Sequence, residues 1–563
     1  MATRQKELCV TSGFMGDLTN AGRQYTKRDL DALMQYAASL GATRYKWILG
    51  LWGRLLWEEN GPAGFDVLKT ACDAAHRHGM RFDAVFKPYE GALWHRTTIL
   101  PDNFPRPDGA PVLETPIGLV HLLRPFLLEH PEMRLARRPD DAVDRGGAVT
   151  AIRLIKNDDA PSPFGPGDLS VWTSTRNGDF NRYEGPIGLD GTEEWRPGFP
   201  YSDRKCRVLT LSRLNLPEEA RFFRIRCEKQ SGPGDYRNNR GRVAELVGGS
   251  GRVTPSMASC RRVDADTLFE RSRALARLGM SPYLMHPEVE NLLHDRDRFG
   301  LLCEGMCDFR TKCKEVTLEA GSELALCRGK PRYVYGAPHP IYPEVRRNWL
   351  DHVQFCIDRG VDGVHIRIAN HNHGGCREPW AYGFNEPVME RMEHPGNVGE
   401  ARRINGEAFT RFLCEARDLL HANGREIGVQ IHARTFRHDE RDADNCRLPR
   451  NFEWQWETWI SEIAEYVEFR GGFSMREENV RAVTDRIGVA ARKAGIPFIY
   501  QGNRLATHFE GPHNTLAREM DWVRKHPDIT AYDLYETAHF TRMDSHDRFE
   551  GSPDIAELVW RHW

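Results

Sequence analysis

Lys27 to Leu51 reads KRDLDALMQYAASLGATRYKWILGL. Apolar residues fall at positions 30, 33, 34, 37 and 40, one face of a 3.6-residue helix. Gly41 supplies the stop, because glycine tolerates the left-handed turn that ends a helix. RYKWILGL, from Arg44 to Leu51, then reads as a strand. Upstream, Leu8-Cys9-Val10-Thr11 is a strand-like run. Downstream, Phe65 to His78 repeats the helical pattern, stops at Gly79 and gives way to RFDAVF at Arg81–Phe86. The order β-α-β-α-β predicts parallel strands joined by right-handed crossovers.

The rhythm breaks after residue 91 and resumes at 342. Helical patterns cover Tyr342–Arg359, Glu407–His421, Trp454–Ile463, Glu478–Lys493 and Leu516–Lys525. Strand-like runs follow them at Val361–Ile368, Glu426–His432, Glu465–Phe469, Pro497–Gln501 and Ile529–Tyr535. Eight strands with intervening helices are the count of a (β/α)8 TIM barrel, an α/β fold. Residues 1–91 and 342–563 form it on this reading, and residues 92–341 are an insertion in the third βα loop. A doubly wound open sheet is the alternative, but no glycine-rich phosphate turn follows the first strand. Within the insertion, short runs at Val149–Ile155, Leu169–Thr173, Val208–Leu211 and Arg221–Arg226 are separated by turns. They predict a β-sandwich-like domain over about 148–230. Ala265–Leu278 then reads as helical and Pro282–Met285 as extended.

Composition narrows the function. The 563 residues carry 78 Lys+Arg against 80 Asp+Glu, a net charge of −2. A charge-driven nucleic-acid binder needs a basic excess, so nucleic acid is not expected as a partner. No apolar run reaches the roughly 20 residues of a membrane helix, so no membrane partner is expected either. The N-terminus is charged and shows no apolar signal-peptide core, which gives a cytoplasmic expectation. Thirteen dispersed cysteines, an odd number, read as reduced thiols. Cys303, Cys307, Cys313 and Cys327 lack the paired C-x2-C spacing of a zinc site.

Barrel enzymes work at the C-terminal ends of their strands. Those ends carry Trp52, then Lys87 to Glu90, then Arg367, His371 and His373. His432 and Arg434, Glu468 and Arg470, Gln501 and Asn503, and finally Glu536 complete the mouth. Glu468, Glu536 and Glu90 are the catalytic candidates. A cation beside Glu468, here Arg470, keeps its carboxyl ionised and suits a nucleophile or base. Glu536, next to Tyr535, suits the acid. The structural alternatives are that Glu90 pairs with Lys87, and Glu468 with Arg470 or Arg434. Arg367, His371, His373, Glu386, His432, Arg434, Arg470, Gln501, Asn503 and Trp52 are the substrate-binding candidates. The arginines suit carboxylate or sulfate groups, and Trp52, Trp57 and Trp94 suit stacking on sugar faces. His371 and His373 lack the carboxylate partners of a metal centre, and neither metal nor cofactor is expected.

AAHRHGMRFDAVFKPYE (Ala74–Glu90), Tyr342-Pro343-Glu344-Val345-Arg346, Asp358 to Val364, and Tyr382 to Val388 together are similar to family-ten-like glycosyl hydrolase barrels of bacteria. The resemblance covers the barrel residues, not the insertion. It implies a (β/α)8 fold and carbohydrate substrates, and it supplies no catalytic pair. Asn385-Glu386-Pro387 resembles the Asn-Glu-Pro of retaining glycosidases, though a helix start with Pro at its first position explains it as well. GVDGVHIRIANH resembles the fourth strand of α-amylases, but Arg367 stands where the nucleophilic Asp would be, so that mechanism does not transfer. The leading reading is a glycoside hydrolase acting on a carbohydrate, acidic or sulfated. The alternatives are a catalytically degenerate carbohydrate-binding barrel, and a lyase or metal-dependent hydrolase using the mouth histidines.

Overall fold

The computed structural model describes residues 6–13, 25–48, 64–91, 126–127, 130–139, 147–156, 158–175, 180–196, 204–229, 236–238, 244–249, 251–253, 255–261, 305–307, 316–318, 322–328, 333–369, 379–436, 448–471, 477–502, 515–537, 540–543 and 549–563. Eight parallel strands close into one barrel in chain order. They are β1 (Glu7–Gly13), β2 (Ala42–Ile48), β3 (Arg81–Phe86), β4 (Gly363–Arg367), β5 (Glu426–His432), β6 (Tyr466–Arg470), β7 (Phe498–Gln501) and β8 (Ala531–Tyr535). β8 returns to pair with β1, with Thr11 opposite Tyr535. The open-sheet alternative is thereby excluded.

The helices between strands are α1 (Lys27–Ser39), α2 (Val67–Arg77), α3 (Pro343–Ile357), α4 (Val398–Ala422), α5 (Glu477–Ala494) and α6 (Thr515–Lys525), with α7 (Pro553–His562) after β8. A short turn of helix over 456–463 joins β5 to β6. Local chemistry sets their ends. Thr26 caps α1 in a reciprocal box: its hydroxyl accepts from the Asp29 N–H, and Asp29 accepts from the Thr26 N–H. Asp66 caps α2. Gly41 and Gly79, the stops read from sequence, have φ of +86° and +76°, a conformation in which a β-carbon is strained.

Alternation sorts every barrel strand into two faces. Val10, Tyr45, Trp47, Phe82, Phe86, Val364, Ile366, Val429, Ile431, Val467, Phe469, Tyr500 and Leu534 point outward and share one apolar core with the helices. Trp349 of α3 meets Phe412 of α4 edge-on at 4.8 Å. Each such side chain contributes about 1.5–3 kcal/mol on burial, so this shell holds the barrel together. The intervening residues face the barrel axis.

Between β3 and α3 the chain builds two antiparallel sheets of six and five strands. Strands from Val149–Ile155 to Ser322–Cys327 contribute to them. Ile152, Val171, Leu211, Phe223, Leu246 and Leu326 join in one apolar core separate from that of the barrel. Strand segments at 134–136 and 333–338 pair with each other, and Leu135, Val334 and Ala337 enter the barrel core instead. The stretches 265–278 and 282–285 lie outside the described residues.

Candidate active site

The axis-facing residues form tiers. At the N-terminal end Cys9, Tyr466, Ile499 and Ala531 make an apolar plug. Burial pushes the Cys9 thiol up to about 12. A cavity of about 1070 Å³ opens beneath this plug, lined by Glu7, Arg81, Glu426 and Thr530 at strand starts. Arg44 and Arg81 both reach Glu426 there. That is the end of the barrel away from the mouth where this fold does chemistry.

Above the plug lies a fully buried polar tier. Lys46 Nζ is ion-paired with Glu468 and lies 3.0 Å from Asp533 Oδ2. The Thr11 hydroxyl donates to the Asp533 carboxylate, 2.9 and 2.7 Å from its two oxygens. Gln430 Nε2 donates to Glu468 Oε1 at 2.6 Å and to Gln501 Oε1 at 3.4 Å. Gln501 Nε2 donates in turn to Asp533. His365 stacks on Tyr466 at 5.5 Å with only 4° between the rings, and Tyr466 Oη donates to Asp83 Oδ2 at 2.8 Å. Burial drives the His365 pKa well below its ordinary value, and the charges of Lys46, Arg367 and Arg44 add to this. The imidazole is therefore neutral.

The cation against Glu468 is thus Lys46 of β2, not Arg470 two residues on. Glu468 is 1% exposed and lies one tier below the strand end. Gln501 is likewise engaged in this tier.

The upper tier is built from strand ends. Arg367 closes β4 and Arg470 closes β6, and both guanidinium groups lie over the ring of Tyr535 at 5.1 and 4.5 Å. Arg367 is 3% and Arg470 8% exposed. His432 ends β5 and is buried beside them in the strand order. Glu536 follows Tyr535 and is partly exposed. A β-carbon on Gly13, an axis-facing position of β1, would collide with Oε1 of Glu536. The carboxylate of Glu536 therefore fills the place over the axis that a β1 side chain would take. Across the mouth, Lys87 pairs with Glu90, and both are buried.

Glu386 sits elsewhere. Asn385 stands just before the short helix Glu386–Met389, which carries Pro387 in its first turn, and its side chain makes no capping bond to that helix. The Asn385 side chain is 1% exposed. It accepts from the Ala136 N–H at 2.9 Å and donates to the Arg134 carbonyl at 2.7 Å. Glu386 itself is exposed to solvent. In this structure the tripeptide fastens a loop to the 134–136 strand. Trp52, Trp57, Trp94, His371, His373 and Asn503 lie outside the described residues, as does the side chain of Arg434. Among the described residues no group of three His, Cys, Asp or Glu side chains is placed to hold a metal. No described helix is long and apolar enough to cross a membrane.

The residues the sequence reading missed are Lys46, Asp83 and Asp533. Each is a charged residue flanked on both sides by apolar ones within a strand run, RYKWILGL, RFDAVF and ITAYDLY. A charge at an inward position of a buried strand needs a partner, and that was the available signal.

No family model and no curated protein matches the chain. The resemblance to family-ten-like glycosyl hydrolases accordingly stands on the residues quoted for it. Among solved structures the chain is similar to the glycoside hydrolase domain of PelA from Pseudomonas aeruginosa, at 12% identity and a TM-score of 0.21, over 36% of this chain and 65% of that one. It is similar to Aspergillus fumigatus Ega3 in complex with galactosamine, at 12% identity and a TM-score of 0.17, over 38% and 63%. A morphinone reductase variant in complex with tetrahydroNAD aligns over 98% of this chain and 90% of its own, at 10% identity and a TM-score of 0.32. The alignments to the first two thus span less than two thirds of those proteins. Superpositions this loose carry no argument about activity, and the barrel assignment rests on the closed strand order.

Proposed function

We propose that the chain is a glycoside hydrolase working at the C-terminal mouth of the barrel, with Glu536 as the carboxylate in contact with substrate. The observation that carries this reading is Glu536 held over the barrel axis against Gly13, at the end where barrel enzymes place their chemistry. Glycoside hydrolysis needs two carboxyl groups flanking the scissile bond. Glu468 and Glu90 are the candidates for the second. Glu90 lies in the turn directly after β3, against Lys87. Glu468 lies deeper and is held by Lys46 and Gln430. A cation in contact favours an ionised carboxylate, the state a nucleophile or base requires. Glu536, at the end of β8 and partly exposed, serves as the acid in this scheme.

The test is cleavage of oligosaccharides by Glu536→Gln, Glu468→Gln and Glu90→Gln. Loss of a true acid or base costs about 10²–10⁴-fold in turnover. Glu536→Gln at wild-type rate, in a folded protein, would refute the proposal. Gly13→Ala sharpens it. The added methyl meets only the mobile end of the Glu536 side chain, so stability should barely change while turnover falls with displacement of the carboxylate.

A carbohydrate-binding barrel without catalysis is the second reading, and the burial of Glu468 favours it. It predicts sugar binding that survives all three Glu→Gln changes, with no cleavage by the wild type.

A further inference from the structure

Arg367 and Arg470 come from β4 and β6, and their guanidinium groups share the ring of Tyr535 at the inner wall of the mouth. A tyrosine face attracts a cation but leaves the N–H groups without a conventional acceptor. Nε and Nη1 of Arg367 and Nη1 of Arg470 are buried and have no hydrogen-bond partner among the described residues. Neither residue forms an ion pair with Glu468, Asp533, Glu90 or Glu536. This contrasts with the other described lysines and arginines on the axis: Lys46 has Glu468 and Asp533, Arg44 has Asp83 and Glu426, and Lys87 has Glu90. Buried guanidinium donors left unmatched are a cost to the folded protein. The planar fork they present fits an oxyanion with two or three acceptor oxygens.

We propose that Arg367 and Arg470, with Tyr535 between them, form a subsite for an anionic substituent on the sugar, a carboxylate or a sulfate ester. The inference rests on the carbohydrate reading above and names its substrate class. The anion completes the hydrogen bonding of both guanidinium groups. Tyr535 holds the two guanidinium groups at a set spacing, so little reorganisation accompanies binding. Glu536 adjoins Tyr535 in sequence, which brings the charged sugar unit next to the proposed acid.

The experiment is calorimetric titration of the full chain with glucuronic acid, glucose 6-sulfate and glucose at fixed ionic strength. One charged sugar should bind about 30-fold or more tightly than glucose, as expected for a desolvated charge contact. Preference for glucuronic acid assigns the carboxylate, and preference for the 6-sulfate assigns the ester. Arg367→Gln and Arg470→Gln should each abolish the preference for the charged sugar. Arg470→Lys should restore only part of it, because an ammonium lacks the fork. Equal binding of all three sugars by the wild type overturns the subsite, and this arm needs no variant to fold. Unchanged preference in both Gln variants overturns it too. The hydrolase reading fails separately. Anion preference without cleavage of uronate or sulfated oligosaccharides keeps the subsite and removes the enzyme. Cleavage of neutral oligosaccharides with no anion preference does the reverse.

Discussion

The lower and upper polar tiers of the barrel axis are built from similar residues and behave differently. In the lower one, Lys46 sits between the carboxylates of Glu468 and Asp533, and Thr11, Gln430 and Gln501 hydrogen-bond to those carboxylates. In the upper one, two arginines are equally buried yet keep N–H donors without partners. Burial of charge is tolerated when it is paired, so the lower tier reads as architecture. Lys46 and Arg44 each have a carboxylate partner, whereas Arg367 and Arg470 have none among the described residues, and these two lie at the end where the fold does chemistry.

The largest expected effect breaks the lower tier. Lys46→Met leaves Glu468 and Asp533 buried without their cation and should cost about 3–5 kcal/mol of stability, read by denaturant titration. A loss below about 1 kcal/mol would mean that the tier is hydrated and not closed.

Next comes acid sensitivity. The His365 pKa lies well below the ordinary 6.5, and burial lowers that of His339 to about 3. Below pH 6.5 the unfolded chain takes up protons that these two native imidazoles refuse. Their contribution is therefore complete above pH 6.5 and falls as pH drops, for His339 until about pH 3. Each accounts for about 1.4 kcal/mol per pH unit in that window. His365→Gln should flatten the measured slope between pH 6.5 and 5 by one proton, and an unchanged slope would place His365 in contact with solvent.

Arg367→Gln should behave unlike Lys46→Met. With no ion pair to break, its stability should stay within about 1 kcal/mol of wild type. A loss as large as that from Lys46→Met would erase the distinction between the tiers. The smallest effect belongs outside both. Glu386→Ala, on an exposed helix start, should shift stability by less than about 0.5 kcal/mol and leave turnover unchanged. A dead Glu386→Ala would move the active site away from the mouth tier.

The barrel was legible because its outward face is written locally. Helices with a 3.6-residue apolar stripe, stopped at Gly41 and Gly79, alternate with strands whose helix-facing residues are Val, Ile, Phe, Tyr and Trp. The site was legible only as positions. Strand ends identified Arg367, Arg470, Glu536 and Glu90, but adjacency in sequence was a poor guide to partners. Glu468 stands two residues before Arg470, both facing the axis, yet its cation comes from another strand. Asn385-Glu386-Pro387 shows the same failure in reverse, since a tripeptide with a catalytic look turned out to hold a loop through its asparagine.

Local periodicity therefore determined the eight strands, their helices and which residues turn inward, because each depends on neighbours a few positions away. Barrel closure decided which inward charges meet. It carries Lys46 of β2 to Glu468 of β6, 422 positions along the chain, and sets Arg367 and Arg470 around one ring on β8. Those partnerships follow from strand register and the width of the closed barrel, which no single stretch of sequence contains.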